Sequence, residues 1–387
     1  MEIAFEDIVL RDMRESDIEN YIRWFTKETR WMDFDAPWEK EESDAETERK
    51  GWTEYYASVK ELPENVRRWK FEIEHQSRHV GWVCSYLIDE EYEWIAAQDV
   101  KQGQTVHCAV GIDICESSAW GQGIGTKALK AFADYCFDAG EKEIYLQTWS
   151  GNERMIRCAH RLGFTECCRK EGIRCVNDER YDGLTFVQRL CSTREHYDLL
   201  IEEENDPVHD PKELREYMDR WDGAGFIAEM QLDKSKSVLE IGVGTGRLAI
   251  RTAPKCGAFC GIDLSPKTIA RAQGNLAGFR HITLLCGDFL SCQVNGTFDV
   301  IYSTLTFMHI AEKQKALSKA ATLLKNKGRL VLPIDKNPSA YLDMGTRKVR
   351  IYPDTAEEII SCIHRAGLTI IRQYETEAAA IFTAVKE

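Results

Sequence analysis

The sequence predicts two α/β domains in tandem, the second built on a doubly wound parallel sheet. A chain of 387 residues, 43% of them hydrophobic, can bury more than one core. Its second half alternates short apolar strands with helices, the order that right-handed crossovers turn into a parallel sheet. Its first half mixes period-2 and period-3.6 apolar repeats in another order, and no repeat relates the halves.

In residues 1–191 the pattern runs strand, helical segment, hairpin, strand, helix, strand, helix and two final strands. Residues 69–73 and 80–88 read as a hairpin around Gln76-Ser77-Arg78, 106–114 as the next strand and 123–137 as the helix after it. Residues 192–210 hold the acidic run Glu202-Glu203-Glu204 and little apolar periodicity, which predicts an exposed connector. Residues 211–230 read as a helix with Leu214, Tyr217, Met218 and Trp221 on one side, opening a second domain over 211–387. Strands then follow at 238–241, 258–262, 282–285, 300–303 and 330–333, and a closing hairpin at 368–375 and 378–385.

Charge divides unevenly. Residues 1–191 carry 25 Lys and Arg against 38 Asp and Glu, whereas residues 192–387 carry 25 against 26. An acidic surface repels phosphate backbones, which argues against a nucleic-acid partner and favours a cationic one. Fourteen cysteines scattered through a large chain read as free thiols, and none has the spacing of a metal site. No apolar run is long enough to span a membrane, and residues 1–12 lack the order of a secretory signal, so a cytoplasmic protein is expected.

The chemical signal of the first half is Trp120-Gly121-Gln122-Gly123-Ile124-Gly125-Thr126, between a strand and a helix. Glycines let successive N–H groups turn toward one anion, and a helix N-terminus adds a favourable dipole. Such a turn can cradle a diphosphate, although tight turns need glycine for other reasons too. The segment resembles the acyl-CoA motif of GNAT-type N-acetyltransferases, with Gly123 and Gly125 at the motif glycines and Trp120 in place of its usual first residue. The resemblance covers about 180 residues and implies acetyl-CoA as cofactor, held by the backbone of Gln122, Gly123, Ile124, Gly125 and Thr126. It makes the strand through Ile112 the one that splays from its neighbour and hydrogen-bonds the pantetheine arm. It also places Asn152, at the head of Asn152–Phe164, against that arm. The tyrosine acid common in the family would fall at Ala159, so it is missing here. That departure resembles the branch holding ribosomal-protein N-terminal and some aminoglycoside 6'-acetyltransferases.

Acetyl transfer needs an uncharged amine in line with the thioester and somewhere for its proton to go. Asp113 is the first candidate for that base, with a half-buried structural carboxylate as the alternative; Gln147 and Tyr145 on the next strand follow. Residues 33–48 contain eight acids and one base among Trp31, Phe34 and Trp38, a composition that suits a cationic amine or a solvated helix face.

The second half carries Glu240-Ile241-Gly242-Val243-Gly244-Thr245-Gly246 after the first strand of an alternating unit. Asp263 ends the next strand, 23 residues after Glu240, where a carboxylate can accept ribose hydroxyls. Asp288 and Phe289 follow the third strand, where an acid can take an adenine amine and an aromatic can border its ring. Together these resemble class I S-adenosylmethionine methyltransferases over about 150 residues, and imply a GNAT-like domain followed by a Rossmann-like methyltransferase domain. Glu240, Gly242, Gly244, Gly246, Asp263, Asp288 and Phe289 become cofactor residues by that resemblance. After the fourth strand comes Thr304-Leu305-Thr306-Phe307-Met308-His309, without the signature of nucleic-acid amino-methyltransferases, which favours a small-molecule acceptor. His309 could deprotonate a hydroxyl or serve only in packing, and Tyr217 with Trp221 could lid the pocket or pack. The expectation is a bifunctional transferase acting on a small-molecule amine; the alternative is one catalytic half, more readily the methyltransferase, beside a binding module.

Overall fold

The computed structural model describes residues 1–387. They form two compact units, residues 1–190 with 343–348, and residues 191–342 with 349–387. No helix is long and apolar enough to cross a membrane.

The first unit is a twisted sheet of β1 (Glu2–Phe5), β2 (Ile8–Arg11), β3 (Lys70–His75), β4 (Arg78–Ile88), β6 (His107–Ile114), β7 (Glu143–Trp149) and β9 (Glu179–Cys191), side by side in that order. The short β5 (Trp94–Ile95) pairs with β4, and β8 (Thr165–Val176) with β9. The β3–β4 hairpin turns at Gln76 and Ser77, both at positive φ (50° and 61°), the mirror-image turn that matches strand twist. Helices α1 (Ile18–Thr26) and α2 (Ala45–Val59) cover one face, sealing Tyr21, Trp24, Trp31 and Trp82 into an aromatic core. Helix α3 (Ile124–Asp138) lies on the other face through buried Ala128, Leu129 and Phe132, and α4 (Glu153–Arg161) follows β7. Residues 343–348 group with this unit, contrary to a division at one connector; Lys348 Nζ donates to Asp134 Oδ1 at 2.6 Å.

One departure from regular pairing matters for function. Strands β6 and β7 run parallel and pair only from Cys108–Val110 to Ile144–Leu146. Beyond Val110, β6 continues to Ile114 and β7 to Trp149 without pairing to each other, so the sheet opens into a cleft.

The second unit is a seven-stranded sheet in the order β12-β11-β10-β13-β14-β18-β17. Strands β10 (Ser237–Ile241), β11 (Ala258–Asp263), β12 (Ile282–Cys286), β13 (Phe298–Ser303) and β14 (Leu324–Asp335) are parallel; β17 (Leu368–Glu375) and β18 (Ala379–Lys386) form the closing antiparallel hairpin. Between them run α8 (Ala249–Thr252), α9 (Pro266–Asn275), α10 (Lys313–Leu323) and α11 (Ala356–Arg365); the short strands β15 (Tyr341–Asp343) and β16 (Arg347–Arg350), which precede α11 in the chain, lie outside this sheet and carry residues 343–348 of the first unit. Both faces of β10 are buried: Leu239 and Ile241 feed one hydrophobic core, Val238 the other, as a central parallel strand requires.

The expected exposed connector is instead part of the second unit. Residues Thr193–Glu202 form helix α5, capped by Ser192 and packed on α9, where Ser265 Oγ donates to Asp198 at 2.6 Å. Asp206, in the acidic run, is buried and accepts from Asn275 Nδ2 at 3.1 Å and from Val208 N at 3.1 Å. The sequence signal fails here because these acids are satisfied by tertiary partners. The expected helix over 211–230 is likewise two pieces, α6 (Lys212–Asp222) and α7 (Phe226–Glu229), broken at Gly223 with φ +87°. Of its expected apolar side Trp221 is buried, whereas Leu214 and Tyr217 are exposed. Asp206→Ala should therefore destabilise the second unit by about 1–3 kcal/mol, the cost of orphaning buried donors, read from its denaturant unfolding midpoint.

Candidate functional site

The cleft between β6 and β7 is a cavity of about 650 Å³. Its floor is the turn into α3. Gly121 and Gly123 have φ near +75° and +78°, and a Cβ at either would meet no atom within 4 Å, so bare backbone faces open space. Trp120 braces this turn by donating its Nε1 proton to Ile114 O at 2.7 Å. Gly125, Ile124, Thr126 and Ile112 also line the cavity. Gln122 does not: its amide turns back to the Ser118 carbonyl at 2.7 Å. Asn152 lines the cavity but spends its side chain within the protein, its Oδ1 capping α4 at Met155 N (3.1 Å) and its Nδ2 donating to Phe34 O (2.7 Å).

Asp113 faces the same cavity from β6, with Asp35, Tyr86 and Cys84 around it. Burial pushes the Asp113 carboxyl well above the usual carboxylate range, nearby Asp35 adds to the rise, and Lys70 opposes it. Of the eight acids in residues 33–48, Asp35 is the one that lines the cavity. Asp44 caps α2 and Glu41 and Glu42 are exposed. Gln147 is at the rim, its Nε2 held by Tyr92 O at 2.7 Å. Tyr145 is turned away to Glu143, at 2.8 Å. Ala159 is fully buried, so nothing replaces the missing tyrosine at that position.

Sequence reading missed three arginines. Arg154, Arg157 and Arg161 all line the cavity from α4, and Arg154 stacks over Phe34 and Trp120 at 4.5 and 5.0 Å. Their i, i+3, i+7 spacing is the signal that puts them on one helix face. An open glycine turn, a helix N-terminus and this basic face fit a cofactor with a diphosphate and a phosphorylated nucleoside.

The second unit holds a cavity of about 460 Å³ at the carboxyl ends of β10 and β11, the place where doubly wound sheets bind ligands. Its turn is tighter than the sequence shows. A Cβ at Gly242 (φ +76°) would lie 1.8 Å from Thr306 Oγ1, whereas at Gly244 (φ +56°) it would meet nothing within 4 Å. Gly246 instead packs against Leu276. Asp263 braces the turn, its Oδ2 accepting from Gly244 N and its Oδ1 from Ser265 N, each at 3.0 Å. Glu240 is buried beneath it, accepting from Tyr302 OH at 2.8 Å, and burial pushes its carboxyl up to about 8. Asp288 and Phe289 line the cavity, Phe289 also belonging to the core.

Arg247 was not singled out from sequence. It lies on the cavity, ion-paired through Nη1 with Asp222 Oδ2 at 2.7 Å and with Asp219 Oδ1 at 3.7 Å, while neither terminal nitrogen makes a well-aligned hydrogen bond. Donors left over in this way fit an anionic group on the ligand. His309 also lines the cavity, with Nε2 3.0 Å from the hydroxyl of Tyr197 on α5. Burial lowers the His309 imidazole to about 4, so it is neutral near pH 7. Tyr197 was hidden by the expectation of an exposed connector.

These two cavities define a pair of group-transfer domains. The family described as acetyltransferase (GNAT) domain matches residues 7–165, and the family described as methyltransferase domain matches residues 238–328. An "uncharacterized methyltransferase" of Anoxybacillus flavithermus is 34% identical over 151 residues, 37% of this chain and 70% of that protein. One of Bacillus cytotoxicus is 39% identical over 109 residues, 27% of this chain and 50% of that protein. Among solved structures, the magnesium protoporphyrin IX methyltransferase of Synechocystis with bound SAM shares 20% identity at a TM-score of 0.41, over 50% of this chain and 95% of that one.

Through its second unit the chain belongs to the family of the Anoxybacillus methyltransferase, and its first unit carries a GNAT acetyltransferase domain. The protein is an enzyme of the transferase class; its GNAT domain implies acetyl-CoA, and the Synechocystis enzyme is the one whose structure holds SAM. Gly244→Leu, which fills the open side of its turn, should weaken S-adenosylmethionine binding about tenfold or more while leaving the thermal shift given by acetyl-CoA unchanged.

Proposed function

We propose that both halves are catalytic: the first transfers an acetyl group to the amine of a small cationic molecule, and the second methylates a small-molecule acceptor. The observation that carries this reading is that each open glycine turn shares its cavity with a group able to take a proton, Asp113 in one and His309 in the other.

When bound, acetyl-CoA supplies an activated acyl carbon and S-adenosylmethionine an electrophilic methyl. In the first cavity, the turn at Gly121–Gly123 and the α4 arginines would hold the phosphates, and the unpaired edge of β6 beyond Val110 would align the arm. An amine arrives as its ammonium, and Asp113, raised by burial, takes one proton and leaves a nucleophile. Asp35, with the rings of Trp31, Phe34 and Tyr86, favours a positively charged acceptor.

In the second cavity, Gly244, Asp263, Asp288 and Phe289 would hold the nucleoside, and Arg247 an anionic end. Methyl transfer is an in-line displacement in which positioning does most of the work. Neutral His309 accepts the acceptor's proton, and Tyr197 fixes the ring at 3.0 Å.

The buried Ala159 supports a second reading, in which the first half binds its cofactor without transferring. The two are separated by incubating the protein with both cofactors and a panel of amines and hydroxylated metabolites, then reading products by mass. Catalysis in both halves predicts acetylated and methylated products. Asp113→Asn should lower acetylation about a hundredfold or more with methylation intact, and His309→Gln should do the converse. Absence of any acetylated product across the panel would leave only the binding reading.

A further inference from the structure

Lys70 lies on the acceptor face of the first unit's sheet but does not line the cavity, and the chemistry above gives it no part. Strand register sets it opposite Cys84, and Cys84 opposite Gly111; one row along, Glu72 faces Trp82 and Trp82 faces Asp113. The Lys70 ammonium is turned inward. Its Nζ lies 4.3 Å from the ring centre of Trp52, 4.5 Å from Tyr21, 4.7 Å from Trp82 and 5.3 Å from Tyr55. The carboxylate two residues along, Glu72, already accepts from Tyr21 OH at 2.5 Å and contacts His79 Nε2 at 2.8 Å. Lysines ordinarily run their stems along apolar surface and keep the charged end in water. A methionine would fill a box of four rings without the desolvation cost, and among carboxylates the charge is offset first by Glu72 and then by Asp113.

Across Trp82 the cavity holds two carboxyl groups. Asp113 is on β6, and the backbone at Asp35 is held beside it, because the preceding carbonyl, Phe34 O, accepts from both Trp149 Nε1 (3.1 Å) and Asn152 Nδ2 (2.7 Å), while the Asp35 side chain itself is exposed. Two carboxyls lining one cavity resist joint ionisation, and a nearby cation relieves that resistance.

We propose that Lys70 is a positioning charge for acetyl transfer: its ring-held ammonium, across Trp82 from Asp113, favours the ionised form of that carboxyl against Asp35, so that it can take the acceptor's proton. The proposal rests on the reading of this cavity as the acetyl-transfer site. In the step it serves, one proton passes from the acceptor's ammonium to the Asp113 carboxylate, leaving a neutral amine and a carboxylic acid.

The surrounding groups are consistent with that role. Burial dominates each member, pushing Asp113 and Asp35 up and Lys70 down; Lys70 then pulls Asp113 back, and Glu39 raises Asp35. Lys70 is faced by Glu72, Cys84 and Cys115 from the sheet, and by Tyr21 and Tyr55 from the helices. Burial keeps both thiols and both phenols protonated, with Cys84 pushed up to about 12. Tyr86, beside Asp113, is held neutral in the same way.

The test is a titration free of turnover. The full chain is labelled with 13Cγ-aspartate, the Asp113 resonance is identified by its loss in Asp113→Asn, and its midpoint is followed by NMR without cofactor or acceptor. Lys70→Met should raise the midpoint by about one pH unit or more, Lys70→Arg should hold it near the wild-type value, and Asp35→Asn should lower it. An unmoved midpoint in Lys70→Met, or movement in the same direction in Lys70→Met and Asp35→Asn, would overturn the proposal. If Lys70→Met does not fold, the Arg and Asn variants decide, and a midpoint that fails to fall in Asp35→Asn overturns it. Acetyl-CoA calorimetry on the wild-type sample separates the two levels: no binding defeats the acetyltransferase reading, whereas normal binding with an unmoved midpoint defeats the role of Lys70 alone.

Discussion

A folded chain pairs nearly all of its buried backbone N–H groups, so a cavity that offers bare backbone to a ligand must be built where pairing is forbidden by geometry. In this protein the geometry is left-handed backbone at Gly123 and at Gly244, each at the head of a turn leaving a strand. One side chain in each site braces its turn. Trp120 ties one to the end of β6 through the Ile114 carbonyl, and Asp263 ties the other to α9 through Gly244 N and Ser265 N. Where a neighbouring glycine does not face ligand space it is needed for packing, as at Gly242 under Thr306 and Gly246 against Leu276.

The second theme is carboxyl groups on which burial outweighs the cations nearby. Asp113, Glu240 and Asp263 are all raised by burial. On the proposed function each cavity gains when a positive group enters, an ammonium in the first and a sulfonium in the second, because that charge favours the ionised carboxylate. The large negative charge of the first half contributes less than its count suggests. Most of the acids between residues 33 and 48, Asp35 included, are exposed, and Asp35 is the one that also lines the cavity.

Both sites were partly legible in the sequence, and the division has a physical basis. Turns, hairpins and strand ends are set by local chemistry, so the glycine motifs, Asp113, Asp263 and the closing hairpin could be placed from composition and spacing. Helix α5 could not, because Asp198 and Asp206 look like solvent-exposed acids until α9 supplies their donors. Losing α5 also hid Tyr197. Lys70 and Arg247 are of the same kind: each reads as a surface cation and is turned inward by partners distant in sequence, the rings of Tyr21 and Trp52 for one and Asp222 for the other. Asn152 shows the reverse limit. Its position was legible, but its amide is occupied by α4 and the Phe34 carbonyl.

The central claim is that one chain carries two separate cofactor sites. Calorimetric titration of the full-length protein tests it most directly, with acetyl-CoA added first and S-adenosylmethionine added to the saturated sample, then in the reverse order. The account predicts one site per chain for each cofactor, with affinities that do not depend on the order of addition. A cofactor that gives no heat and no thermal shift in either order, or one that displaces the other, would contradict it.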